Sequence, residues 1–140
     1  MTLTKSDEIR NCREGIYANP YQGKDKKVVF VCSMGILRSA TGARLYACKY
    51  NTRTAGTYPD ALVPLTPALI TWADELVFVN DYNYKAILER YVDDDFGQVV
   101  KQKATVLDIP DCYEHMHEEL VKAFMEQYEQ LDSYQLYAFT

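Results

Sequence analysis

Hydrophobic and polar positions alternate along the chain in blocks short enough to be single strands and helices. Residues 26–32 (KKVVFVC) form an unbroken β-branched and aromatic run that closes on a loop containing Gly35, the pattern of a parallel strand buried on both faces. Beyond it, Ala40, Ala43 and Ala47 fall at i, i+3 and i+7, a small-residue face that predicts a helix over residues 38–49 packed close to a sheet. Residues 51–57 (NTRTAGT) predict a short second strand, and Pro59 and Pro64 an irregular loop after it. Thr66-Pro67 then combines a capping hydroxyl with proline at the first helical position. Residues 76–80 (LVFVN) predict a third strand, and Tyr84, Ile87, Leu88 and Tyr91 recur with helical spacing. Asp93-Asp94-Asp95 and Gly97 predict the turn beyond, the acidic triplet reading as a solvated loop and not a metal site. Residues 103–109 (KATVLDI) predict a fourth strand ended by Pro110, and Met116, Leu120, Phe124, Tyr128 and Leu131 form the stripe of a long C-terminal helix.

Four strands, each followed by a helix, define an α/β domain, and right-handed crossovers make it a doubly wound open parallel sheet. The ligand crevice of such a sheet lies at the carboxyl ends of its strands, here the loops after Cys32, Thr57, Asn80 and Asp108. Residues 26–140 are expected to form this domain and residues 1–25 an N-terminal extension, in which Ser6-Asp7-Glu8 can cap a short helix containing Ile9, Cys12 and Ile16.

Composition narrows the picture. The chain has 140 residues, 48% hydrophobic and 25% charged, which predicts one globular domain able to hold a core without metal or disulfide. A net charge of −5 argues against a duplex-DNA or anionic-membrane binder but leaves room for a local anion pocket. The uncharged run at residues 28–37 is about half the length of a membrane span. The first residues have no apolar core or cleavage site of a secretory signal, so a cytoplasmic location is expected. Cys12, Cys32, Cys48 and Cys112 are irregularly spaced with no C-x-x-C pair, which suits neither a zinc site nor a disulfide framework.

One cysteine stands apart. Strand one runs into Cys32-Ser33-Met34-Gly35-Ile36-Leu37-Arg38-Ser39, a thiol at a strand end and a guanidinium at a helix start, spaced C-x5-R-[ST]. A loop of that length can turn its backbone N–H groups inward, and the helix N-terminus adds partial positive charge, making a nest for a tetrahedral oxyanion. Ser33, Met34, Gly35, Ile36, Leu37, Arg38 and Ser39 are therefore candidate phosphate-binding residues, with Arg38 gripping two oxygens in a bidentate fork. The same surroundings favour an ionised, nucleophilic Cys32, to which Ser39 can donate a hydrogen bond.

VVFVCSMGILRSA resembles the V-C-x-x-N-x-C-R-S element of the low-molecular-weight protein tyrosine phosphatases. The resemblance continues through Ala55-Gly56-Thr57 and residues 76–83 to an acidic-proline segment, covering roughly residues 26–131. LDIPDCYEHMHEEL is more similar to a compact bacterial and phage branch of that family. The resemblance implies a three-layer, flavodoxin-like α/β sandwich of four parallel strands in the order 2-1-3-4. It also implies a general acid in the loop after the fourth strand. Here Asp108 and Asp111 are the candidates, and Asp108 is preferred because it ends the strand at the crevice mouth and lies at the family's distance from the last helix. Tyr113, and secondarily Tyr82 and Asn83, would line the substrate entrance. Gly35 replaces the family's loop asparagine, Leu37 its second loop cysteine and Ala40 a proline. These changes imply a less rigid cradle without disulfide protection of the nucleophile. Ile36 stands where a phosphoarginine-specific branch carries threonine, which favours phosphotyrosine.

The expected activity is a cysteine-dependent phosphomonoesterase needing no metal or other cofactor. Its partner would be a phosphorylated protein or a small phosphomonoester, and neither nucleic acid nor membrane. Two alternatives stay open: a catalytically silent phosphate-binding module, and a thiol-coupled arsenate reductase. The second would relay its disulfide through a downstream cysteine pair, and with Cys48 reading as an ordinary core or surface thiol only Cys112 is left for that role. His115 and His117, two apart at a helix start, read as surface residues, and Trp72 as packing of helix on sheet.

Overall fold

A computed structural model of the chain describes residues 26–35, 37–112 and 116–129. Strands β1 (Lys27–Cys32), β2 (Asn51–Gly56), β3 (Glu75–Phe78) and β4 (Ala104–Val106) form one all-parallel sheet in the order β2-β1-β3-β4. This is the expected doubly wound α/β arrangement. Cys32 pairs in register with Gly56, and Val31 with both Ala55 and Phe78, so the strand ends converge beside the C-x5-R loop.

Side-chain alternation along β1 feeds two cores. Val28, Phe30 and Cys32 point to one face, and Val29 and Val31 to the other. The first face is covered by α1 (Arg38–Leu45) and α5 (Glu118–Phe124). There Phe30 stacks on Tyr46 at 6.0 Å and meets Phe124 and Tyr128 edge-on at 6.0 and 5.7 Å. Each such aromatic pair adds about 1 kcal/mol beyond its buried area. Gly42 sets the spacing of this layer, since a Cβ there would lie 2.6 Å from the Phe30 ring and 2.8 Å from Phe124. The second face is covered by α2 (Pro67–Trp72), α3 (Asp81–Arg90) and α4 (Phe96–Lys103) through Ile70, Ile87 and Val100. Thr66 caps α2 as expected, accepting from the Leu69 N–H.

Several boundaries differ from the sequence reading, each for a visible reason. Helix α1 stops at Leu45, not residue 49, because the chain must turn to bury Tyr50 and place the Asn51 N–H on the Lys26 carbonyl. Between β3 and β4 lie two helices, not one. The acidic triplet and Gly97 mask the start of α4, whose Gly97 sits where a Cβ would come 2.8 Å from the Tyr91 carbonyl oxygen. Lys103 belongs to that helix and not to β4, and its ammonium caps the C-terminus of α2 at the Ile70 and Thr71 carbonyls. Strand β4 itself is short, but its pairing continues as the Leu107 and Ile109 N–H groups donate to Phe78 and Val79. Met116 precedes α5 in a left-handed conformation (φ 59°) and gives its N–H to Thr41 Oγ1, so it is not part of the helical stripe. After α5 the chain continues as a π-helical turn, Met125–Glu129. The expected N-terminal helix and Leu131 lie outside the described residues. No helix among the described residues is long and apolar enough to cross a membrane.

Candidate active site

The C-x5-R loop folds back on the sheet because two glycines allow it. Gly35 has φ +81°, and a Cβ there would sit 2.9 Å from the Ala55 carbonyl carbon. Gly56 at the end of β2 is equally crowded, since its Cβ would meet Met34 and the Ser33 carbonyl at 2.7 Å. The loop therefore lies directly on the end of β2. Thr57 N–H to the Cys32 carbonyl (2.9 Å) and Tyr58 N–H to the Ser33 carbonyl (3.0 Å) pin it there.

This fold turns the Gly35 N–H onto Cys32 Sγ at 3.1 Å. The buried thiol also donates to Ser39 Oγ at 3.1 Å, which in turn shares a short hydrogen bond with Thr54 Oγ1. Thr54 closes the chain by donating to the Gly35 carbonyl at 2.9 Å. Once the sulfur ionises, the Ser39 hydroxyl can rotate and donate to it. Thr54 was visible in the sequence only as part of the alternation in β2. The sharing of polar work between Thr52 and Thr54, both fully buried, shows in hydrogen bonds: Thr52 binds the Ala43 carbonyl and Thr54 serves the loop.

Arg38 begins α1 and is 1% exposed. A guanidinium so buried must be met by acceptors or charge. Nη1 donates to Asn80 Oδ1 and to the Ile109 carbonyl at 3.1 Å, and Nε faces an Asp111 carboxylate oxygen at 3.5 Å. The Tyr82 ring, half-exposed, lies 5.9 Å from the guanidinium carbon and forms a wall. Four groups from two segments, the start of α3 and the stretch after β4, thus fix one cation. Leu37, at the cap position of α1, provides no side-chain cap and the first turn holds no acid, so its amides keep the polarity that favours an anion.

Of the two aspartates, Asp111 is the one brought to Arg38. Asp108 is exposed and engaged through its backbone: its N–H donates to Gln127 Oε1 at 2.6 Å and its carbonyl accepts from Gln127 Nε2 at 2.7 Å. Asn83 is fully buried under the loop, donating to Ser33 Oγ (3.2 Å) and Thr57 Oγ1 (3.3 Å), while its Oδ1 has no partner among the described residues. Ile36 and Tyr113 lie outside the described residues, as does His115.

No family model, curated protein or solved structure matches the chain. The site therefore rests on its geometry.

The remaining sequence candidates fall away from it. His117 caps α5 by accepting from the Glu119 N–H, and Cys48 and Cys112 are exposed. Trp72 packs against the second core and receives Arg53 and Lys27 over its ring; burial lowers the pKa of Arg53. On the rim, Asp81 pairs with Lys85 at 2.7 Å, and that hydrogen bond, then the charge itself, raises the lysine pKa. Among the described residues no group of three or more His, Cys, Asp or Glu is arranged to hold a metal ion. Sequence reasoning missed Asn80, Thr54, Gly56 and Gln127 as site residues. A polar Asn closing an apolar strand was the one available signal, at Asn80.

Proposed function

We propose that the protein is a metal-independent phosphomonoesterase of the low-molecular-weight tyrosine phosphatase type, acting on phosphotyrosine or a related aryl or small phosphomonoester through a cysteinyl-phosphate intermediate. The observation that carries this reading is the Cys32 thiol and the Arg38 guanidinium at the two ends of one loop, with a loop amide aimed at the sulfur and a carboxylate on the guanidinium.

In the first step Cys32 sulfur attacks phosphorus as the bond to the leaving oxygen breaks. Arg38 and the loop amides hold the equatorial oxygens, and a protonated aspartate delivers its proton to the departing phenolate. In the second step the same carboxylate takes a proton from water as the oxygen attacks phosphorus, the S–P bond breaks, and phosphate and thiolate are released. Contact with Arg38 moves the preference for this acid from Asp108 to Asp111. Tyr82 offers a flat wall to an aromatic leaving group. This chemistry requires a free thiol, which suits a reducing, cytoplasmic compartment.

The test is phosphate release from an aryl phosphate near pH 6 without added metal, comparing wild type with Cys32→Ser, Arg38→Ala, Asp108→Asn and Asp111→Asn. Turnover abolished by the first two changes supports the reading. Phosphate binding without turnover in the wild type would replace it with a silent binding module.

A further inference from the structure

Resting on the phosphatase reading above, we infer that Gln127 is a positioning residue for the general acid, holding the segment that carries Asp111 in register with the cradle. The segment after β4 continues to pair with β3 on one side only, through the Leu107 and Ile109 N–H groups. In a parallel strand the residue between two such partners turns its N–H and C=O the other way. For Asp108 that side is the edge of the sheet, where no strand follows β4 among the described residues. Gln127 takes both groups with one carboxamide, at 2.6 and 2.7 Å. An amide side chain holds a donor and an acceptor side by side in one plane whatever the pH, so Gln127 stands in for a one-residue strand.

The clamp connects directly to the chemistry. The next residue, Ile109, gives its carbonyl to Arg38 Nη1, and two residues further Asp111 reaches Arg38 Nε. The segment is thus held by β3 on one side, Gln127 on the other and Arg38 ahead. Gln127 is itself fixed, because Phe124 and Tyr128 on either side of it are buried against Phe30. It sits in the π-helical turn Met125–Glu129, a conformation rare in helices and frequent at functional sites. Releasing Asp108 would let the acid drift from the leaving oxygen while leaving the sulfur, the loop and Arg38 where they are.

The test compares leaving groups, because only a poor one needs the acid. Wild type, Gln127→Ala and Gln127→Glu are assayed by kcat/KM on phenyl phosphate, whose phenol resembles tyrosine with a pKa of about 10, and on dinitrophenyl phosphate, whose phenol is far more acidic. Amide hydrogen exchange at Asp108 is measured alongside. Gln127→Ala is expected to lose about tenfold on phenyl phosphate and less than about twofold on the dinitrophenyl ester, with faster exchange at Asp108. Gln127→Glu, which keeps the acceptor for the Asp108 N–H but not the donor for its carbonyl, should recover part of the loss. An equal loss on both esters would make Gln127 a structural residue and overturn the inference, as would no loss on either. If the wild type hydrolyses neither ester in a Cys32-dependent manner, the phosphatase reading falls and the inference with it; a selective failure on phenyl phosphate alone is seen only if both hold.

Discussion

The proposed phosphate cradle and the proposed acid segment meet at the same guanidinium, yet they are built in opposite ways. The cradle is one contiguous stretch: Cys32, Gly35, Arg38 and Ser39 lie within eight residues of chain, and their mutual hydrogen bonds follow from a strand, a tight loop and a helix start. The acid segment has almost no local reason for its shape. Asp111 reaches Arg38 across 73 positions of sequence only because β3, Gln127 and Arg38 each take one set of backbone groups from residues 107–109. Local construction yields a recognisable motif, and non-local construction yields a blurred one.

The largest effects should come from the cradle, where nothing can substitute. Cys32→Ser is expected to lower kcat/KM at least about 10⁴-fold by removing the nucleophile, and Arg38→Ala about 10³-fold or more by removing the charge that follows the transferred phosphoryl. Phosphate release measured on purified protein, with circular dichroism to establish folding, reads both. A Cys32→Ser enzyme with near wild-type turnover would break the comparison outright.

The acid segment should respond next. Asp111→Asn is expected to cost about 10²- to 10³-fold on phenyl phosphate and far less on an ester with an acidic phenol. Asp108→Asn keeps the backbone groups that Gln127 binds, so it should stay within about threefold of wild type. The reverse ranking would show that the carboxylate seen on Arg38 is a rim charge and that Asp108 swings inward during turnover.

Glycines sharpen the contrast between the site and the core. Gly35→Ala forces an alanine to φ +81° with its Cβ 2.9 Å from backbone, a strain of about 1–3 kcal/mol. Gly42→Ala drives a methyl group into the Phe30 and Phe124 rings at 2.6 and 2.8 Å, overpacking that costs about the same, 1–3 kcal/mol. Thermal or urea unfolding should thus rank the two variants together. Turnover per folded molecule should separate them, falling in Gly35→Ala, whose N–H faces the sulfur, and holding in Gly42→Ala.

What could be read from the sequence divides along the same line. The two-faced burial of β1 follows from its apolar run, the parallel arrangement from crossover handedness and the strand order from the resemblance, and all three are found. The contacts of Cys32 with Gly35 and Ser39 were legible because these residues are neighbours in the chain. Helix α4 was not, because Asp93-Asp94-Asp95 and Gly97 look like a loop until Phe96, Val99 and Val100 are seen against the second core. Gln127 carried no signal at all: a glutamine on an amphipathic helix is indistinguishable from any solvated one, and its role depends on an edge strand some twenty residues earlier. Asp108 outranked Asp111 in the sequence because its place at the strand end and the family's distance to the last helix were the yardsticks available there.

The smallest effect tests whether every carboxylate at the mouth matters. Asp81 stands beside Asn80 and Tyr82, both of which touch Arg38, but its own charge goes to Lys85 at 2.7 Å on the exposed turn of α3. The hydrogen bond and the charge of Asp81 raise the Lys85 pKa. Asp81→Asn should therefore bring the lysine back down toward its ordinary value, which NMR titration of the side chain reads directly. A group whose folded pKa is raised contributes any stability below its unfolded pKa and loses it as pH rises through the folded value. That window lies in the alkaline lysine range, and a fully exposed pair is heavily screened, so no change in unfolding is expected between pH 5 and 8. Turnover should likewise be unchanged. A marked fall in kcat/KM with Asp81→Asn would mean that the acidic rim acts on the substrate as a whole, and the division between a working Asp111 and its bystander neighbours would have to be redrawn.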